Sequence, residues 1–292
     1  MKKRPLVMII INYNDFPSTK RLIENIKEYK SLTKVLVVDN HSSDDSYQQL
    51  QHLKNNNIEI YQTKENKGFA YALNEGAKYI KKTYPACDII FSNADIIIYS
   101  DQNVKELQQL LNKHHFGILA PVIYEQQKLN RGWHLLTPKQ EILTNLPVIG
   151  KKLLQKYKAY QEEAYNQEIT IVDVVSGCFF LMSSEVLEEA GYFDENTFLY
   201  YEENIMAQKL KCLGKQEAIA NNITIIHDHS VSIDRSIRSI EKFKILKQSQ
   251  YYYEKTYNQA TKKQLRYLKL TANLTKLTLY IRLLIPRRRR KK

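Results

Sequence analysis

The chain has 292 residues, 43% of them hydrophobic, which supports a globular protein with one large core, or a core plus an appendage. Its three cysteines, Cys87, Cys178 and Cys212, are widely spaced and outside any Cys-x-x-Cys pattern, so neither a disulfide framework nor a structural zinc site is expected and a cytoplasmic setting fits best. The formal net charge is +13, but much of the excess lies after residue 230 and ends in Arg287-Arg288-Arg289-Arg290-Lys291-Lys292, a basic tail instead of a groove, so nucleic acid is not the expected partner.

The basic start Met1 to Pro5 leads into an apolar run shorter than a signal-peptide core or a membrane span, and no export is implied. That run, Leu6 to Ile11, reads as a buried strand ending in the polar tip Asn12-Tyr13-Asn14-Asp15. Ser18 or Thr19 is the expected cap of a helix carrying Leu22, Ile23, Ile26 and Tyr29. Lys34 to Val38 is a second strand, ending in Asp39-Asn40-His41-Ser42-Ser43-Asp44, and a helix over roughly 45–54 follows it. Ile58 to Tyr61 is a third strand, leading to Glu65-Asn66-Lys67-Gly68-Phe69 and a helix with Ala70, Leu73, Asn74 and Ala77. Ile89 to Ser92 is a fourth, flanked by Asp88 and by the tip Asn93-Ala94-Asp95.

Alternating strands and helices predict a mainly parallel sheet with right-handed crossovers and a ligand crevice at its carboxyl edge, where the polar tips converge. No Gly-x-Gly-x-x-Gly or Gly-Lys-Ser/Thr loop is present, so the crevice would hold its ligand with acids and amides. Such groups suit ribose hydroxyls, a base N–H, or a cation on a diphosphate. Read alone, Asp88 and Asp95 could equally be turn residues.

The segment 124–167 is polar with weak periodicity and reads as an insertion or mobile loop over the site, with Trp133 and His134 as an acceptor contact or a loop anchor. Ile169 to Phe180 reads as one strand, with Gly177 at a bulge. A helix over about 184–190 precedes Gly191-Tyr192-Phe193-Asp194-Glu195, and Phe198-Leu199-Tyr200-Tyr201-Glu202-Glu203 opens another helix that Gly214 closes. Ile223 to Ile226 is a short strand running into His227-Asp228-His229-Ser230.

The tips at Asn12-Tyr13-Asn14, at Val38 to Asp44, at Asn66 to Phe69 with Asn74 and Gly76, and at Asn93-Ala94-Asp95 stand in the order seen in family-2 glycosyltransferases. Together with the Gly191 to Glu195 segment and the Glu202-Glu203 pair, they make the chain similar to the rhamnosyltransferase-like branch over roughly residues 5–235. The resemblance implies an α/β GT-A nucleotide-diphospho-sugar transferase fold with a mainly parallel central sheet, flanking helices and a C-terminal helical appendage. It divides the chain into a catalytic region at 1–235 and a basic amphipathic helical region at 236–292. It places Asn12, Asn14, Asp39, Asn40, Asn66, Gly68, Asn93 and Gly177 around the nucleotide-sugar donor, and Asp95 with His227 at a Mg²⁺ or Mn²⁺ ion. Glu203, beside Glu202, falls on the family's base, whose task is to accept the proton of an attacking sugar hydroxyl.

The resemblance also implies inverting transfer of one sugar, from dTDP-rhamnose or a UDP-hexose, to a glycan or lipid-linked acceptor in bacterial polysaccharide synthesis. This chain has Asn93, Glu203 and Ile205 where the family has acids or an Asp, which leaves a degenerate, non-catalytic subunit as the alternative. After residue 236 the chain is basic and rich in tyrosine. Leu270, Leu274, Leu277, Ile281 and Leu284 form one helical stripe, expected either to dock on the catalytic region or to lie on the inner face of the cell membrane.

Overall fold

In the computed structural model, which describes residues 4–228 and 239–284, the sheet is built outward from β1 (Leu6–Asn12). Every residue of β1 is buried, because alternate side chains enter different cores. Leu6, Met8 and Ile10 meet α1 (Phe16–Ile26), α2 (Ser46–Gln51) and α4 (Asp101–His114) on one face. Val7, Ile9 and Ile11 meet α3 (Phe69–Lys81), α7 (Ser184–Glu189) and α8 (Glu202–Cys212) on the other. A strand covered on both faces has no polar alternation, hence the unbroken apolar run. Each such side chain contributes about 1.5–3 kcal/mol through burial.

The strand order is β3 (Ile58–Gln62), β2 (Lys34–Asp39), β1, β4 (Asp88–Asn93), β9 (Phe179–Ser183), β6 (Ile118–Glu125), β10 (Glu217–His227) and β5 (Ile96–Ile97). The pairs from β3 to β4 are parallel, β9 runs antiparallel to both its neighbours, and β10 is parallel to β6. The short strands β7 (Lys128–Asn130) and β8 (Ile169–Val172) add antiparallel edges to β6 and β10. The chain steps from β1 outward to β3 and returns on the other side of β1 as β4. The crevice between the carboxyl ends of β1 and β4 is therefore a topological switch point, where open α/β sheets bind ligands.

Several local expectations change. Asp15, not Ser18 or Thr19, caps α1, its side chain accepting from the Ser18 N–H at 3.4 Å. The Ile169 to Phe180 run is split into β8 and β9 by a turn over 173–178, and this turn delivers Gly177 to the crevice. Asp88 opens β4 at the edge away from the crevice, where it accepts from Arg4 Nε at 2.6 Å and from Gln108 and Asn112, each at 2.8 Å. It is structural.

The segment 124–167 is not a mobile loop. It contains α5 (Pro138–Thr144) and α6 (Gly150–Lys158), and a capping box between Thr137 and Gln140 starts α5, a device contributing about 1 kcal/mol. Apolar periodicity is weak because the position α5 buries is a glutamate. Glu141 is 2% exposed and accepts from Gln250 Nε2 at 2.6 Å and Tyr201 Oη at 2.9 Å.

Gln250 belongs to α9 (Ser239–Thr256), which forms a hairpin with α10 (Lys262–Leu284). The inner side of α9 is tied to the rest of the molecule. Tyr253 is fully buried, Ser249 donates to the Leu199 carbonyl at 2.7 Å, and Tyr252 and Tyr257 donate to Asp194. On α10, Leu268 and Thr271 face inward, whereas Leu270, Leu274, Leu277 and Ile281 are exposed, so the stripe is not the docking face. No helix among the described residues is long and apolar enough to cross a membrane. His229, Ser230 and the basic end 287–292 lie outside the described residues.

Candidate active site

Parallel register sets Asn12 beside Asp39 at the ends of β1 and β2. Both are fully buried and joined by an Asn12 Nδ2–Asp39 Oδ1 hydrogen bond of 2.8 Å. The Asp39 carboxylate also accepts from the Ser42 N–H at 3.0 Å, the Ser42 hydroxyl at 2.5 Å and Gln62 Nε2 at 3.0 Å. Thr19 donates to the other end of Asn12 at 2.8 Å, so Asn12 acts by holding Asp39. Asn14 takes a left-handed φ of 53°, which asparagine tolerates, and accepts from the Ser43 N–H at 2.8 Å, tying the two loops together.

The next wall is a knot of backbone contacts. Asn40 Nδ2 donates to Asn66 Oδ1 at 3.1 Å and to the Gly68 carbonyl at 3.2 Å, and Asn66 Oδ1 accepts from the Gly68 N–H at 3.0 Å. Gly68 has a φ of 107°, and a Cβ there would lie 2.2 Å from the Phe198 carbonyl oxygen. Only glycine fits. Gly68→Ala is expected to destabilise the fold by about 2–4 kcal/mol from backbone strain and overpacking, read as a lower denaturant midpoint. An unchanged midpoint would contradict the close approach. Asn74 clamps both backbone groups of Phe193, each at 2.9 Å, and so holds the segment leading to Glu202 instead of touching the crevice.

The switch point's other side carries Asn93 and Asp95. The Asn93 N–H donates to the Cys178 carbonyl at 2.8 Å. Antiparallel pairing of β5 with β10 brings Asp95 to His227, with Asp95 Oδ1 3.1 Å from His227 Nε2. On the far side of the ring, Nδ1 lies 3.0 Å from Glu125 Oε2. Burial lowers the imidazole pKa, but hydrogen bonds to Asp95, Cys178 and Glu125 outweigh it and push it up to about 12.

A divalent cation fits these residues only in place of the proton between His227 Nε2 and Asp95, because a metal binds the neutral imidazole. Two ligand atoms bound at about 2.1 Å and at right angles to each other sit about 3 Å apart, the spacing of Asp95 Oδ1 and His227 Nε2. Glu125 occupies the place of the outer carboxylate that fixes a metal-bound imidazole. Among the described residues no cage of three or more His, Cys, Asp or Glu side chains exists. The donor set thus suits an ion that keeps waters and substrate phosphates in its shell.

Beneath the crevice, Tyr201 precedes α8, and its φ of 70° turns the chain sharply before Glu202 and Glu203. A Cβ on Gly177 would come within 2.7 Å of Glu203 Oε1 and 2.8 Å of its Cγ, so glycine gives the carboxylate its space. Burial raises the Glu203 pKa, while its own backbone N–H, the Lys158 ammonium and the Gly177 N–H pull it back. Burial and then the Glu203 charge hold Glu202 well above the usual carboxylate range, and one of its oxygens has no partner. Glu217 is likewise held high by burial. All three acids line a cavity of about 10 Å³ with apolar walls, room for roughly one water.

Cys178 contacts Asn93 and His227 while its neighbour Gly177 contacts Glu203, so one turn joins the Asp95–His227 pair to the glutamates. The structure thus gathers Asn12, Asn14, Asp39, Asn40, Asn66, Gly68, Asn93, Asp95, Gly177, Glu202, Glu203 and His227 around the carboxyl edge. Sequence reading missed Glu125, Lys158 and Glu217. Trp133 is the anchor alternative: it forms a two-way backbone bridge with Val174, and the Lys158 ammonium lies 4.5 Å from the centre of its ring. His134 packs on Tyr160 and pairs with Asp173 at 3.2 Å.

Two curated relatives are similar in sequence. The low-salt glycan biosynthesis hexosyltransferase Agl10 of Haloferax volcanii is 24% identical over 198 residues, spanning 68% of this chain and 59% of Agl10. The rhamnosyltransferase WbbL of Escherichia coli is 26% identical over 211 residues, spanning 71% of this chain and 77% of WbbL. The chain thus spans less than two thirds of Agl10's length. Among solved structures, GalNAc-T7 with UDP, GalNAc and Mn²⁺ superposes with a TM-score of 0.58 at 15% identity, over 77% of this chain and 44% of that one. The mannosyltransferase PcManGT from Pyrobaculum calidifontis, in complex with GDP-Man and Mn²⁺, gives 0.57 at 16% identity, over 97% and 75%. These likenesses establish the GT-A fold. The sequence model for glycosyl transferase family 2 matches residues 7–191, most of the sheet and its crevice, and the chain belongs to that family.

Proposed function

We propose that this chain is a sugar-nucleotide-dependent glycosyltransferase that moves one sugar per encounter, with inversion, from dTDP-rhamnose or a UDP-hexose to a glycan or lipid-linked acceptor. The reading includes bacterial surface polysaccharide synthesis and a peripheral position at the inner face of the cell membrane. It treats residues 1–235 as the catalytic region and 236–292 as a C-terminal region that meets the membrane. The observation that carries it is the turn at Gly177 and Cys178, which sets a carboxylate of raised pKa beside a cation-compatible pair at a switch point. The names of WbbL and Agl10 support the rhamnosyl or hexosyl choice.

In this mechanism the Asp39 cluster orients the nucleoside, and Asn40, Asn66 and Gly68 shape the donor wall. Mg²⁺ or Mn²⁺, when bound by Asp95 and His227, supplies countercharge for the leaving diphosphate. The acceptor hydroxyl gives its proton to Glu203 as its oxygen bonds the anomeric carbon and the bond to the nucleoside diphosphate breaks. Glu202 stays protonated behind it. Lys158, opposite, favours the ionised form of Glu203 and keeps the base competent.

Raised by burial, Glu203 must lose its proton before it can work, so kcat/KM is expected to fall as pH drops through a pKa above the ordinary glutamate range. Lys158→Met should move that acid limb to higher pH. A pH profile with the same limb in both proteins would remove Lys158 from the mechanism.

The proposal is tested by incubating the protein with dTDP-rhamnose and UDP-hexoses, Mn²⁺ and lipid-linked acceptor, then reading nucleoside diphosphate release and the acceptor's mass. Growth by one sugar supports it. Donor binding without release under all these conditions would favour the degenerate subunit suggested by Asn93, Glu203 and Ile205, the last a core residue only 1% exposed.

A further inference from the structure

The segment that delivers Glu203 is strained. Tyr200 and Tyr201, with φ of 71° and 70°, are consecutive left-handed residues that are neither Gly nor Asn, and such backbone persists only where its surroundings over-determine it. The start of the segment is fixed on the donor wall, where the Phe198 carbonyl accepts from the Phe69 N–H at 2.9 Å and packs against Gly68. The groups that hold the strained turn itself come from elsewhere.

They come from α5 and α9. Ser249 Oγ donates to the Leu199 carbonyl at 2.7 Å, and Tyr201 Oη donates to Glu141 Oε2 at 2.9 Å. Gln250 Nε2 donates to the same carboxylate oxygen at 2.6 Å, so α9 holds the acceptor that Tyr201 uses. The Tyr201 ring lies 5.3 Å from the Tyr253 ring, centre to centre, and Gln208 of α8 donates to Tyr253 Oη at 3.1 Å. Ser249, Gln250 and Tyr253 are all buried. A helix that merely docked would bury apolar side chains there, whereas these polar groups lose free energy unless each finds its own partner. Their contacts converge on residues 199–201. The glycosyl transferase family 2 match ends at residue 191, short of both this turn and α9.

We propose that α9 braces the turn that carries Glu203, and that Tyr201 is the positioning residue through which the brace acts. Its hydroxyl is fixed on Glu141, so it acts through the backbone: the anchored side chain holds the left-handed turn, and the turn holds Glu203 in the space that Gly177 leaves. The inference rests on Glu203 being the base of the proposed transfer. It gives α9 a task in the reaction that is separate from membrane contact.

The test compares the full wild-type chain with Tyr201→Phe, which keeps the ring against Tyr253 and removes only the hydroxyl, and with Ser249→Ala, which frees the Leu199 carbonyl. Hydrogen exchange read by mass spectrometry reports on the turn independently of activity. In Tyr201→Phe, amides over 199–205 are expected to exchange roughly tenfold faster, about the worth of one hydrogen bond, while β1 to β4 exchange as in the wild type and so show that the variant folds. Transfer from the donor that the wild type uses should fall by up to about 10²-fold in kcat, the cost of a displacement of about 1 Å, with donor KM unchanged. Ser249→Ala should show the same pattern in weaker form. Wild-type exchange over 199–205 in either variant would overturn the brace. Faster exchange throughout the sheet, or a kcat that holds while KM rises, would overturn it too, since these mark general loosening. A wild type that transfers from no donor would defeat the proposed function instead, and exchange over 199–205 would still decide the brace.

Discussion

Glu203→Gln is expected to lower kcat by about 10²–10⁴-fold, the usual worth of a positioned general base, and to leave donor affinity unchanged. Glutamine has the same reach and still accepts the Gly177 N–H, so geometry persists while the proposed proton acceptor is gone. Glu203→Asp withdraws the carboxylate by one methylene from the space Gly177 leaves for it and should keep only part of the activity. Glu202→Gln is the informative partner. Glu202 is held protonated by burial and by the neighbouring charge, and the amide also carries no charge, so this change should cost far less. Equal losses at the two positions would make the pair a structural unit and remove Glu203's separate role.

Asp95→Ala carries the second large effect. It removes the only carboxylate of the proposed cation pair and leaves His227 held from the Glu125 side. Mn²⁺-dependent donor binding should vanish, with kcat/KM falling alongside. Glu125→Gln removes only the outer carboxylate, and should weaken Mn²⁺ by about 10–100-fold, as outer-shell changes do. Titration of Mn²⁺ followed by electron paramagnetic resonance reads both. Wild-type affinity in Asp95→Ala would place the cation elsewhere.

Much of this architecture is legible in the chain because β1, β2 and β4 are buried on both faces and, like the half-buried edge strand β3, end abruptly in polar tips. Leu6 to Ile11 and Asn12 show the pattern, and it locates Asp39, Gly68 and Asp95 without a structure. β6 carries the same kind of run, Ile118 to Ile123, with Glu125 just past it, but Pro121 argues against a central strand. The fold accommodates the proline where the register between β6 and β10 shifts, between Ala220 and Thr224. Lys158 and Glu217 had no such signal. Each is a single charge whose approach to Glu203 depends on how α6 and β10 pack. The helices between residues 124 and 167 were hidden because α5 buries Glu141, and its partners Gln250 and Tyr201 lie far away in sequence. The α10 stripe was plain in the sequence, but apolar residues on both sides of that helix left its docking face undetermined.

The most direct test of the account is the melting temperature of the wild-type chain with dTDP-rhamnose and UDP-hexoses, each with and without Mn²⁺, since a ligand bound to the native state raises it. The account predicts that one of these donors raises the melting temperature and that the rise requires Mn²⁺. A chain that melts at the same temperature with every donor, Mn²⁺ present or absent, would contradict it.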